Sequence, residues 1–407
     1  MKSFDYPVGS TFDNEEINIV KKILNSGETL TRGSWVDKFE LEFKKLIKCQ
    51  YAVSTSSCGA ALEISSKILN LKEGDEVICQ SNNFWTAISH LLAKKVKVIC
   101  CDINEQLGID SHKLKRLITK KTKAIYLFHH GGNVIDVKTI KKNISNKIPI
   151  VEDCAHALGS KINGKYVGFD ADIACFSFSS HKNISTFGEG GMLTTNNKLY
   201  YKKIKLLKDT QIVGNYAEIK KKLINNSKII KSQYFMPLGT NLKKNLLNFE
   251  NIGANLKMSA IEAGVGIVQL KKLNNNNKHR NEIAKVYNDV LSKSKLCEII
   301  KNPRNVYNSY HLYSFFLNLD IKKKNLLISL LNKKKIFCKI RFSPINWYPL
   351  MRYNGCKVGG CAKCISLKFG EDIWLNKLFS LPISARLKIK DAKFIAKNFI
   401  KILEKIK

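Results

Sequence analysis

Apolar positions recur every three to four residues over 14–26 and again over 35–48, where the chain reads WVDKFELEFKKLIK. This spacing predicts two amphipathic helices at the start of the chain. A different rhythm follows. The short apolar runs YAVSTS, DEVICQ, VKVICCDI, TKAIYLFH and IPIVED predict strands. The stretches between them, from Cys58 to Leu69 and near 85–94, 110–119 and 136–143, predict helices. Strands alternating with helices of this length imply right-handed crossovers and a mainly parallel sheet. After 172 the alternation changes, and ADIACFSF and GGMLTTN read as strands joined by a polar turn. A lysine-rich stretch at 208–248 has no regular period. A long helical pattern then covers 259–292 and is broken in the middle by four consecutive asparagines. The last third repeats on a smaller scale: a strand in YHLYSFFLNL, a helix in KKNLLISLLNKK, a strand in FCKIRF and a final helix near 389–406. The expected fold class is α/β. A large domain, 1–250, carries a mainly parallel central sheet, and 251–407 supplies a linking helix and a smaller C-terminal α+β domain. No internal repeat is visible.

Charge adds a constraint on partners. The chain carries 69 basic against 33 acidic residues, a formal charge of +36. Only seven of the basic residues are arginine, and the lysines are scattered through segments such as KKKLINNSKIIKS and KKLNNNNKHR. Sites that read nucleic acid lean on arginine for bidentate contacts, and no helix-turn-helix pattern is appended here. The basic balance is therefore read as a solvated surface without a nucleic-acid partner; attraction of an anionic substrate or a membrane surface is the alternative. Cysteines lie inside apolar runs such as VICCDI and DIACFSF, as reduced thiols do in the cores of cytosolic proteins. The opening MKSFDYPVGSTFDNEE has no apolar segment of signal-peptide type. No stretch reaches the roughly 18 apolar residues of a membrane span. A cytoplasmic protein with no membrane partner is expected.

Ligands of parallel sheets sit at the carboxyl ends of the strands, and four candidate features fall there. STSSCGAAL, 54–62, passes from strand to helix through small residues, so the amides around Ser57, Cys58 and Gly59 favour a phosphate. Many strand-to-helix turns share this look. VEDCAH, 151–156, ends a buried strand with Asp153, which could keep a ring nitrogen protonated; a helix cap or surface turn is the plain alternative. His156 follows three residues later. Ser177 and Lys182 come together with the GEGG turn at 188–191. Phe84 and Trp85 follow the strand VICQ, where an aromatic face could stack on a flat cofactor or simply fill the core. NGCKVGGCAKC offers Cys356, Cys361 and Cys364, but this is not a strong zinc spacing and lacks an obvious fourth ligand, so a glycine-rich loop without metal is expected.

In their order these features resemble the DegT/DnrJ/EryC1/StrS family of nucleotide-sugar aminotransferases: small-residue turn, aromatic after the next strand, E-D-x-A-H, S-F-x-x-x-K-N, then G-E-G-G. The resemblance covers most of the chain. TRGSWVDKFELEFKKLI, TKAIYLFHHGGNVIDV, GANLKMSAIEAGVGIVQLKKL and LFSLPIS are similar to further family segments, with Lys257 where arginine is usual. RFSPINWYPL looks more like the perosamine-type 4-aminotransferases. SSCG replaces the commoner N-G-T or S-G-T.

The resemblance implies the type I, aspartate-aminotransferase fold and the cofactor pyridoxal 5′-phosphate (PLP). It also implies transfer of an amino group from L-glutamate to a keto group of a nucleotide-linked deoxysugar. The family lysine lies five residues after the serine of S-F, so Lys182, not His181, forms the Schiff base with PLP. The same resemblance puts Asp153 on the pyridine nitrogen and His156 on the phenolic oxygen. Ser177 and the amides at Cys58 and Gly59, with Ser57 beside them, take the phosphate. Phe84 stacks on the ring, with Trp85 as the substitute. Asn255 reaches the phosphate of the neighbouring subunit, so the active sites of a homodimer are shared. A sugar dehydrase, which has histidine at the lysine position, and a non-catalytic regulator on the same fold are the competing readings.

Overall fold

The computed structural model describes residues 3–31, 33–144, 147–209, 253–354 and 367–406. Residues of the lysine-rich stretch from 210 on, and Cys356, Cys361 and Cys364, lie outside the described residues. Two helices open the chain, α1 (Asn14–Leu24) and α2 (Ser34–Ile47). Then come β1 (Tyr51–Thr55), α3 (Cys58–Ile68), β2 (Glu76–Gln80), α4 (Thr86–Ala93), β3 (Lys97–Cys101), α5 (Ser111–Leu117), β4 (Thr122–Phe128), α6 (Val137–Asn143) and β5 (Ile150–Asp153). A small hairpin, β6 (Lys161–Ile162) and β7 (Lys165–Tyr166), precedes β8 (Ile173–Ser177), β9 (Gly191–Thr195) and α7 (Lys198–Lys208). Seven strands form one sheet in the order β1-β9-β8-β5-β4-β2-β3. Every neighbouring pair from β3 to β8 is parallel, whereas β9 runs antiparallel to both β8 and β1.

Burial explains why these strands show little polar alternation. All five residues of β2, of β8 and of β9 are buried, because helices cover both faces of the sheet. On one face, Leu62, Ile64, Ile88 and Leu91 from α3 and α4 pack with Val77, Val98 and Leu193. On the other, Leu114 and Ile140 from α5 and α6 meet Ile78 and Ile125. There too Phe39 and Phe43 of α2 meet Phe176 and Phe178 edge to face.

The four asparagines do not break the long helix. α8 runs unbroken for 32 residues, Ala260–Leu291. Asparagine disfavours helices because its side chain competes for nearby backbone groups. Here two of the four side chains are engaged elsewhere. Asn277 Nδ2 donates to the Leu158 carbonyl and its Oδ1 accepts from Asn183, while Asn276 Oδ1 accepts from Thr11. Polar residues thus dock the middle of α8 on the loops around the end of the sheet.

After α8 come β10 (Cys297–Ile299), β11 (Val306–Tyr307), β12 (Tyr313–Leu317), α9 (Ile321–Lys333), a short α10 (Lys368–Asp372), β13 (Leu378–Leu381) and α11 (Ile389–Ile406). β10, β12 and β13 make an antiparallel sheet, and β11 joins the β6–β7 hairpin. FCKIRF is not a strand; the third position of the small sheet belongs to β13, in LFSLPIS. The backbone of the FCKIRF segment is used by loops of the large sheet instead. The Arg341 carbonyl accepts from His130 Nε2, and the Phe342 carbonyl from Asn82. The first residues of the chain also join this region. Phe4 packs in the core of the small sheet and its amide donates to the Lys335 carbonyl. No helix among the described residues is long and apolar enough to cross a membrane.

Candidate active site

Three strand ends converge: Phe128 on β4, Asp153 on β5 and Ser177 on β8. Ser177 pairs with Gly191 at the start of β9, so the chain between them, 178–190, is a closed loop above the sheet. Its rungs run Phe178 amide to Gly190 carbonyl at 2.8 Å and Ser180 amide to Gly188 carbonyl at 3.0 Å. The Lys182 amide donates to Ser179 at 2.9 Å. Glycine is required at the turn because Gly190 has φ 154° and the place of a side chain on Gly191 is filled by the backbone of Ser57 and Cys58. The loop therefore sits hard against the first turn of α3.

The lysine–histidine pair divides cleanly. His181 is exposed, and its Nδ1 bonds the Pro7 carbonyl of the N-terminal segment. Lys182 is partly buried, and desolvation pulls its ammonium down to about 8. The carboxylate of Asp153 and the thiol of Cys58 oppose that fall, while the charge of Arg341 adds to it. Asp153 is buried, with Oδ1 accepting from the Ala155 amide at 3.0 Å and lying 4.0 Å from Cys58 Sγ. Burial raises its carboxyl above the usual range, and the Ala155 amide, Lys182 and His129 pull the other way.

His156 is buried, and its Nδ1 accepts from the Gly131 amide at 3.3 Å. The neutral ring therefore carries its proton on Nε2. Desolvation and the charges of Lys182, His311, His130 and Arg341 hold it well below the ordinary histidine range. Its ring lies 4.9 Å from Phe128, 4.0 Å from His311 and 5.5 Å from Phe342.

The small-residue turn is a capped helix start. Ser57 Oγ accepts from the Ala60 amide at 3.1 Å, which leaves the amides of Cys58 and Gly59 without intrahelical partners. Ser177 is buried beside them. Phe84 and Trp85 stand at the mouth, 40% and 47% exposed, with rings 5.5 Å apart and Phe84 5.4 Å from Phe342. Asn255 is exposed; its neighbour Leu256 accepts from the Ser56 amide at 2.9 Å, which holds this segment beside the turn. Lys257 pairs with Asp209 at 2.8 Å.

Four residues of this site were given no role by the sequence: His130, His311, Arg341 and Phe342. His130 stood in HHGG and His311 in YHLY, both apolar contexts that gave no chemical signal, and Arg341 lay in the run misread as a strand. His311 Nδ1 faces Asn183 Oδ1 at 3.3 Å, while Asn183 Nδ2 donates to Asn277 and to the Ser309 carbonyl. Behind the site, His129, Glu152 and Cys154 bring ligand-type atoms within 4.8 Å of one another. Both nitrogens of His129 already have partners: Nδ1 accepts from the Ile135 amide and Nε2 donates to Glu152 at 2.9 Å. That cluster is accounted for by the His129–Glu152 hydrogen bond behind the site.

A profile of the DegT/DnrJ/EryC1/StrS aminotransferase family matches residues 10–399. The chain belongs to that family. It is an aminotransferase of the type I fold, and its cofactor is PLP. A transaminase of Campylobacter jejuni named for UDP-4-amino-4,6-dideoxy-N-acetyl-β-L-altrosamine is 32% identical over 97% of this chain and 96% of its own length. GDP-perosamine synthase of Vibrio cholerae is 26% identical over 84% of this chain and 86% of its own. Among solved structures, Helicobacter pylori PseC, an aminotransferase in the biosynthesis of pseudoaminic acid, superposes with a TM-score of 0.85 at 25% identity, covering 99% of this chain and all of its own.

The residues present fit the cofactor. A buried carboxyl with no bonded cation among the described residues lies in the field of a partly desolvated lysine, and free helix amides lie across a turn with no room for a side chain at Gly190 or Gly191. This donor set suits a group with a basic ring nitrogen at one end and a phosphate at the other.

Proposed function

We propose that the protein moves an amino group from L-glutamate to the keto group of a nucleotide-linked deoxysugar, in two half-reactions, as a homodimer with shared active sites. The observation that carries this reading is that Lys182, its ammonium pulled down to about 8, lies within electrostatic reach of both buried Asp153 and buried His156. Relatives named for sugars carried by UDP and GDP support a nucleoside diphosphate sugar as the substrate class.

When bound, PLP supplies an electron sink for the pair left as the donor loses its Cα proton. The chain supplies the rest. Lys182 would hold the cofactor covalently and, once released, its amine would take the proton from the donor Cα and return it to the carbon on the other side of the nitrogen; a value of about 8 leaves part of the amine neutral for this. Asp153 holds the proton on the ring nitrogen, its charge favoured once a cation lies beside it. His156 donates from Nε2 to the phenolic oxygen. The amides of Cys58 and Gly59, with Ser57 and Ser177, bind the phosphate. Phe84, with Trp85 behind it, covers the ring, and Asn255 serves the phosphate of the partner subunit.

The test is a pair of single turnovers. L-glutamate is added to the loaded enzyme, and loss of the lysine-bound absorbance and release of 2-oxoglutarate are followed. A panel of UDP- and GDP-linked 4-ketosugars is then offered to the product. Return of the original absorbance with one of them is expected; no conversion by glutamate or by any of the panel refutes the reading.

A further inference from the structure

Ahead of α1, the chain lies as a strap across the loop that carries Lys182. The Gly9 amide donates to the Ser180 carbonyl at 2.8 Å, and the Pro7 carbonyl is bonded by His181. Position 9 calls for glycine, because the place of a side chain there is taken by the backbone carbonyls of His181 and Lys182. The peptide of Lys182 therefore has the strap's backbone directly against it.

Other elements hold the strap down. Ser384 Oγ donates to the Val8 carbonyl at 3.2 Å, and Gln269 Nε2 to the Thr11 carbonyl at 2.7 Å. Arg280 of α8 holds Gly9 itself. Its Nη2 donates to the Gly9 carbonyl at 2.6 Å, which the Ala385 amide approaches only to 3.4 Å. Its Nη1 donates to the Tyr310 carbonyl at 3.0 Å. The next residue, His311, faces Asn183, which follows Lys182. One guanidinium thus fastens two backbone segments that bear on the lysine loop. Arg280 is 1% exposed, its Nε has no hydrogen-bond partner, and among the described residues no carboxylate pairs with it. Burial pulls it down to about 9, which leaves it charged at neutral pH. Burying a cation against carbonyls alone is expensive, and an apolar side chain of similar length would avoid the cost. Packing by itself therefore does not call for arginine here; the two carbonyls do.

We infer that Arg280 is a positioning residue for Lys182: it pins the strap through the Gly9 carbonyl, and the strap fixes where the lysine's amine stands. Arg280 touches none of the reacting groups and acts through backbone alone. The inference rests on the aminotransferase reading above and adds what keeps the amine in place once it is released from the cofactor. At that stage only the loop sets its position, and a displacement of about 1 Å is enough to cost about 100-fold in rate.

The experiment compares Arg280→Met, Arg280→Lys, Gly9→Ala and the Gly9→Ala/Arg280→Met double variant with the wild type. The first readout needs no turnover. PLP is added to the cofactor-free protein, and borohydride pulses trap the covalently attached fraction over time. Attachment should be about 10-fold slower or more in Arg280→Met, with the final amount of PLP retained unchanged. Arg280→Lys should recover part of the rate, because an ammonium still reaches one carbonyl but not both as a fork does. In glutamate single turnovers the maximal rate should fall by about 10- to 100-fold, with the half-saturating concentration within about threefold. Gly9→Ala pushes the strap off the loop with Arg280 intact, so it should give the same pattern even if Arg280→Met does not fold. The double variant should lose no more than the worse single variant, since both act through one contact. Losses that multiply in the double variant overturn the inference. So do variants that melt lower yet attach PLP at the wild-type rate, which is the mark of a purely structural role. If the wild type attaches PLP but glutamate gives no turnover, the donor reading falls, and slowed attachment in Arg280→Met still supports the positioning role.

Discussion

Replacing Lys182 by methionine should abolish covalent attachment of the cofactor and yet make the cofactor-free protein more stable. The ammonium titrates at about 8 in the folded chain, against 10.5 for free lysine, mainly because burial disfavours the charge. That gap of about 2.5 pH units corresponds to a ceiling of roughly 3 kcal/mol. Partial exposure of the side chain reduces it to about 1–2 kcal/mol. The sign follows from proton binding. Below pH 8 lysine is charged in both states, the unfolded chain holds its proton more tightly, and the full penalty weighs on the fold. As pH rises from 8 to 10.5 the folded lysine gives up its proton while the unfolded one still holds its own, so the penalty fades and is gone above 10.5. Methionine has nearly the same length and no charge, so it removes the penalty without opening a cavity. Thermal melts of the two cofactor-free proteins should differ by a few degrees at pH 7, with the gap closing toward pH 10.5. A Lys182→Met protein that melts no higher at pH 7, or a gap that does not change with pH, would refute the reasoning. Borohydride reduction of the loaded proteins should tag the wild type and His181→Ala but not Lys182→Met.

Three further outcomes are expected. Asp153→Asn should still bind PLP but slow the glutamate half-reaction by about 100-fold or more, since an unprotonated ring nitrogen is a poor electron sink; an unchanged single-turnover rate removes Asp153 from the chemistry. Lys182→Ala and Asn255→Ala homodimers should each be nearly inactive, whereas mixed dimers should regain activity, approaching half of wild type, because one of their two sites is intact; mixed dimers as dead as the parents would place Asn255 in its own chain's site, beside which Leu256 and Ser56 already hold it. Asn277→Ala removes two buried hydrogen bonds, to Leu158 and Asn183, and should cost about 1–3 kcal/mol in denaturant unfolding; a loss within a few tenths would show that those bonds do not hold α8 in place.

Local patterning carried most of the sheet and helices. Strand positions from Tyr51 to Thr195 were legible because a parallel sheet covered on both faces needs short, wholly apolar runs, and the intervening helices needed caps such as Ser57, Asp110 and Asp136 that the chain supplies. Ser57, Asp153, His156, Ser177 and Lys182 stood out as candidates because they fall at strand ends and turns, and the family resemblance then gave each its expected role. Residues far apart in the chain were hidden. The asparagines at 274–277 read as a break, since nothing local says that Asn183 and Leu158 will take their hydrogen bonds from about 100 residues away. FCKIRF has the composition of a strand, but its carbonyls are claimed by His130 and Asn82 across the fold. Sequence alone, then, determined most of the order of elements, because helix and strand periods and turn chemistry act over a few residues; the roles of the reacting groups are expectations from the family resemblance. Bringing Arg341 and His311 into the surroundings of Lys182 depended on how the small sheet and its flanking loops pack on the large one, and that packing joins positions whose spacing along the chain holds no pattern.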